Sequence, residues 1–118
     1  MNTAPSKAKV VVELIDVLRS RLGPGAFQVV DHWPDDPMAI GIASPRNAGV
    51  LAYVLITPEA DDPYFVSLEL PPEGEWVEHP YTPDGERNEC GIDELVATIS
   101  THLRKAPPNM SLERGRER

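Results

Sequence analysis

Two segments near the ends of this chain repeat a single apolar pattern. Val11, Leu14, Ile15, Leu18 and Leu22 fall at offsets 0, 3, 4, 7 and 11, and Ile92, Leu95, Val96, Ile99 and Leu103 fall at the same offsets. That spacing puts each set on one face of an α-helix. Gly23 and Pro24 stop the first helix. In the second, Asp93 and Glu94 occupy the first turn and Arg104 and Lys105 the last, which suits the helix dipole at both ends. Two helices with one apolar stripe each need a common surface to cover, and the chain between them must supply it.

That surface reads as a sheet. "AFQVVDH" (26–32) is an expected strand, and "MAIGIAS" (38–44) alternates Met38, Ile40 and Ile42 with small residues. "PRNAG" (45–49) is a turn signal, and "VLAYVLIT" (50–57) completes a hairpin over 38–57. "YFVSLEL" (64–70) places Tyr64, Val66, Leu68 and Leu70 on one face and Phe65, Ser67 and Glu69 on the other. Residues 71–90, with Pro71, Pro72, Pro80 and Pro83, leave room for no more than a short edge strand around "EWVEHPY". The expected class is α+β: an antiparallel sheet of four to five strands with both helices on one face, in the order α-β-β-β-β-α. Leu14, Leu18, Leu95 and Ile99 should be buried against Val54, Ile56, Val66 and Leu68.

At 118 residues the chain reads as one domain, over 1–106, with a tail over 107–118 that either returns as an edge strand through Met110 and Leu112 or is disordered. Its single cysteine, Cys90, cannot form an internal disulfide. Glu13 and Asp16 interrupt the N-terminal apolar run, so it lacks the stretch of a signal peptide, and no segment approaches the ~18 apolar residues of a membrane span. A soluble, cytoplasmic protein is the simplest reading.

The net charge of −8 is unevenly distributed. Residues 31–89 hold thirteen acidic side chains against Arg46 and Arg87. A nucleic-acid surface needs a basic face to displace counterions, and this body has the opposite sign. An acidic middle suits a basic protein partner or, more blandly, keeps loops solvated.

The densest acidic stretch is "DHWPDDP" (31–37), and Asp-Asp-Pro recurs at 61–63. His32 with Asp31, Asp35 or Asp36 is a conceivable ligand set, but His79 and His102 are distant and Cys90 has no partner cysteine, so a metal site is not expected. Ser44, Ser67 and Ser100 lie in no nucleophile elbow. Cys90 at a helix entrance could be reactive, though a small apolar role against the core is the better reading. "GPG" at 23–25 matches no phosphate-binding fingerprint. No catalytic residue and no cofactor is expected.

Binding remains. The candidate partner-binding residues are Asp31, Trp33, Asp35, Asp36, Asp61, Asp62, Glu73, Glu75, Trp76 and Glu78, acids arranged around two aromatic anchors. From "MAIGIASPRNAGVLAYV" through "YFVSLEL" to "GIDELVATISTHLRKAPPNMSLER", the chain resembles the first numbered family of immunity proteins from bacterial polymorphic toxin systems. The resemblance covers roughly the last two thirds of the chain, in a glycine-containing hairpin, a further strand and a helix opened by acids. It implies a cytoplasmic protein that binds and blocks one cognate toxin, often a nuclease or nucleobase deaminase, without a catalytic residue of its own; a monomer is expected over a homodimer. Two other classes stay open on sequence grounds: a small acidic secretion chaperone, which would dimerise and expose apolar patches, and a small hydrolase built on Asp31, His32 and Glu69.

Overall fold

A computed structural model describes residues 7–71 and 82–105. The elements are α1 (Lys9–Leu22), β1 (Gln28–Val30), β2 (Ala39–Ala43), β3 (Leu51–Ile56), β4 (Tyr64–Leu70), β5 (Thr82–Cys90) and α2 (Ile92–Leu103). The five strands form one antiparallel sheet in chain order, each paired with its sequence neighbour. The class is the expected α+β.

One core cluster settles the layering. Val11, Leu14 and Leu18 of α1 and Leu95, Val96 and Ile99 of α2 share it with Ile40, Ile42, Ala52, Val54, Ile56 and Val66. These sheet residues alternate along their strands and so project from a single face. Both helices therefore cover that face, with Val54, Ile56 and Val66 buried beneath them and Leu68 packed partly buried at the margin. Arg21 Nη2 reaches across to Asp93 Oδ1 at 3.1 Å, an exposed link between the helices.

The hairpin lies where the turn signal puts it, as β2 paired with β3 from Ala39↔Leu55 to Ala43↔Leu51. Local side-chain bonds shape its loop: Arg46 N donates to Ser44 Oγ (3.0 Å) and Gly49 N to Asn47 Oδ1 (2.8 Å). The first strand is shorter than the apolar run suggests, Gln28–Val30 within 26–32, because Asp31 and His32 turn out of the ladder.

The fifth strand is the main departure. Thr82–Cys90, "TPDGERNEC", pairs with β4 although it has no apolar alternation, and its register shifts twice. Gly85 at φ 106° and Glu89 at φ 55° adopt positive φ along it. An edge strand bonds on one side only, so it tolerates Pro83, a positive-φ glycine and exposed charges that a central strand would not. Only Cys90, at its end, enters the core. "EWVEHPY" (75–81) and the tail over 107–118 lie outside the described residues.

Candidate functional site

The loop joining β1 to β2 contains the acidic stretch 31–37, and it is organised around Lys7. Lys7 Nζ donates to Trp33 O (2.9 Å) and Asp36 O (2.8 Å) and lies 3.0 Å from Asp31 Oδ1. Asp31 Oδ1 also accepts from Trp33 N, and Asp36 Oδ1 from Met38 N, both at 3.0 Å. Ala8 N donates to Pro37 O (3.0 Å), tying the start of α1 to the same loop. Partial burial opposes the charge of Asp31, yet the hydrogen bonds from Lys7 and Trp33 hold its carboxyl below the usual range. A lysine that sequence inspection places in an unremarkable N-terminal run is thus the centre of the loop.

Trp33 is half-buried and lies apart from the helical core. Its indole lies on the sheet face turned away from the helices, 4.5 Å from the ring of Tyr53, which is followed by Phe65 at 6.2 Å. Gly41 makes room for it: a Cβ there would stand 3.1 Å from the indole, 2.9 Å from Leu51 Cδ1 and 2.7 Å from Val30 O. Gly41, between Ile40 and Ile42 of "AIGIA", is therefore part of the floor on which Trp33 packs. All of β2, an interior strand of the sheet, is buried. Glu69 is on the same sheet face, where burial pushes its carboxyl up and the charge of His32 partly offsets that. Asp31, His32 and Glu69 make no shared hydrogen-bonded cluster, because Asp31 is committed to Lys7.

The second Asp-Asp-Pro lies in the loop joining β3 to β4, residues 57–63, where Thr57 N donates to Pro63 O (2.8 Å). Asp61 and Asp62 are exposed. In an up-and-down sheet, the β1–β2 and β3–β4 loops emerge at the same end, two strand spacings or about 10 Å apart. Both helices begin at that end as well, α1 through Ala8 and Pro37, α2 directly after Cys90, which pairs with Tyr64. Asp62 Oδ1 sits 3.4 Å from the position of a Cβ on Gly91, the residue that opens α2. Among the described residues, Asp35, Asp36, Glu59, Asp61 and Asp62 make no ion pair. Glu73, Glu75, Trp76 and Glu78 lie outside the described residues, so the structure assembles six of the ten candidate residues, four of them as unpaired or loop-tip acids.

Beside the second loop is a groove of about 400 Å³, walled by Val10, Leu14 and Val17 of α1, Ile92 of α2, and Pro58 and Pro63. Glu13 and Tyr64 form its polar wall. Burial, and then the nearby Glu13 charge, push the Tyr64 hydroxyl up, so it stays a neutral donor.

At the opposite end of the sheet His102 is fully buried. Its Nε2 lies 2.8 Å from Glu69 O, and its Nδ1 is 3.3 Å from Asp84 Oδ2 but off the line of a straight hydrogen bond. The Lys105 ammonium donates to the same Oδ2. Nε2 is engaged by the Glu69 carbonyl, while Nδ1 faces Asp84 inside the fold with no hydrogen-bond partner among the described residues, and the group fastens α2 to β4 and β5. Cys90 is equally inaccessible, and burial pushes its thiol up. Among the described residues no three His, Cys, Asp or Glu side chains come together as a metal-binding set, and no helix is long and apolar enough to cross a membrane.

Compared with protein-family models, curated proteins and solved structures, the chain matches none.

Proposed function

We propose that the protein is an inhibitor of the immunity class, which binds a basic protein toxin through the end of the sheet that carries its two Asp-Asp-Pro loops. The observation behind this reading is the set of five acids, Asp35, Asp36, Glu59, Asp61 and Asp62, gathered at one end with no ion-pair partner among the described residues. Uncompensated like charge attracts an oppositely charged partner over a Debye length of about 8–10 Å and raises the encounter rate. The sequence resemblance to immunity proteins supplies the class of partner, a nuclease or deaminase toxin whose own substrate demands a basic cleft. Blocking such a cleft needs no catalytic residue, metal or cofactor, and the inhibitor would act as a cytoplasmic monomer.

The chaperone alternative is less well supported. A surface for unfolded clients exposes apolar side chains, whereas among the described residues Val12 is the one exposed large hydrophobic, at 49%. Charge on shaped loops fits a folded partner better.

The test is association with the toxin encoded by the adjacent gene, followed at low and high salt. Asp35→Asn, Asp36→Asn, Asp61→Asn and Asp62→Asn combined keep the Oδ1 acceptor that Met38 N needs while removing four charges. Association should slow about tenfold or more at low salt and lose most of its salt dependence. Unchanged association, or an adjacent product that this protein neither binds nor neutralises in cells, overturns the reading.

A further inference from the structure

Resting on the reading that the partner is a basic protein, we propose that the groove between α1, the start of α2 and the β3–β4 loop receives an apolar side chain of that partner flanked by arginine. The walls, Val10, Leu14, Val17, Ile92, Pro58 and Pro63, are aliphatic and about 400 Å³ of space lies between them. That volume admits one large side chain with its immediate neighbours. Interfaces gain most of their affinity where an anchor fills such a pocket and a polar rim excludes water around it.

The rim decides what flanks the anchor. Glu13 lines the groove and Asp62 stands at the α2 end of it, beside Gly91, while among the described residues no lysine, arginine or histidine lines it. Among the described residues the one ion pair of Glu13 is an exposed i,i+4 contact with Lys9 at 3.6 Å, a pairing weak enough to be exchanged. The Tyr64 hydroxyl on the same wall is a further polar partner. A guanidinium matches two carboxylates better than an ammonium, because its planar fork donates in two directions at once. A second copy of this chain is the poorer occupant: at a net charge of −8, two such rims would face each other with like sign.

The test uses the full-length protein labelled with ¹⁵N and the peptide probe acetyl-Gly-Arg-Leu-Arg-Gly-amide. One control peptide replaces leucine by glycine, and the other replaces both arginines by glutamine. The first peptide should shift the amide resonances of Val10, Val17, Tyr64 and Ile92 and bind about tenfold or more tightly than either control. Val17→Trp, which fills the groove, should abolish that preference, while Val12→Trp on the exposed side of α1 should leave it intact.

Equal binding of the glycine control overturns the proposal, since charge alone would then suffice. So do shifts confined to loop 31–38, or binding unaffected by Val17→Trp. A dimer in sedimentation that Val17→Trp dissociates assigns the groove to a second copy. Binding that appears only after deletion of residues 106–118 assigns it to the chain's own terminus, and both outcomes overturn the proposal. Failure here is separable from failure of the function. If Val17→Trp associates with the toxin as the unmodified protein does, only the groove assignment falls; peptide binding as expected without toxin association overturns the immunity reading instead.

Discussion

The ammonium of Lys7 lies 3.0 Å from Asp31 Oδ1 and within hydrogen-bond distance of the Trp33 and Asp36 carbonyls, so a single cation closes the β1–β2 loop on itself. The Lys7 side chain is only 11% exposed, and its removal leaves three oxygens without that donor. Lys7→Met should destabilise the fold by about 1–3 kcal/mol. In a Trp76→Phe background the same change should shift Trp33 emission to the red as the loop loosens. A stability change within error in urea, with unaltered emission, would show that the loop holds its shape without the lysine.

Gly41→Ala probes the floor beneath Trp33. The added Cβ would meet Val30 O at 2.7 Å, and a backbone oxygen in a strand cannot step aside as a side-chain tip can. The expected cost is about 1–3 kcal/mol, typical of overpacking. Chemical denaturation reads the cost, and a new Trp33 environment in near-ultraviolet circular dichroism locates it.

Leu18 has no exposed surface and belongs to the cluster shared by both helices and the sheet. Leu18→Ala should cost on the order of 2–5 kcal/mol, the transfer term plus a cavity. Val12, on the exposed side of the same helix, should tolerate alanine within about 0.5 kcal/mol. A denaturation midpoint shifted equally by both substitutions would contradict the assignment of faces.

The opposite end of the sheet predicts a pH dependence. The hydrogen bond from Lys105, together with its charge and that of His102, holds the Asp84 carboxyl below its ordinary value of 3.8. A carboxyl depressed in the folded state contributes stability that is fully present above the ordinary value and is lost as pH falls through the depressed one. Asp84→Asn should therefore cost ~1 kcal/mol at neutral pH, discounted for the exposure of Lys105, and the difference from the unmodified protein should vanish in strong acid. Thermal unfolding of the two proteins from neutral pH down to about pH 2 measures it. A difference that persists undiminished there would assign the effect to packing around His102.

The helices, the hairpin and β4 were legible in the chain because each advertises a burial period: 3.6 residues for Leu14 and Leu18 or Leu95 and Ile99, two for Val54 and Ile56 or Val66 and Leu68. Amphipathic period is set locally, by which side chains must leave water. The same logic explains why both helices share one face, since the sheet offers a single unbroken apolar side for them to cover.

What the tertiary structure alone decided has no local period. β5 carries no alternation because an edge strand faces solvent on most of its sides, so Thr82–Cys90 becomes a strand only through the ladder that β4 offers. Lys7 meets Asp31 across 23 intervening positions, and Trp33 finds Gly41 only once β1 and β2 pair. The acid content of residues 31–89 was plain in the sequence, but its division was not. Asp31 is drawn inward by Lys7, whereas Asp35, Asp61 and Asp62 are brought to one end by strand direction. Composition sets how much charge a chain carries, while the order and direction of its strands set which charges are neutralised and which are left for a partner.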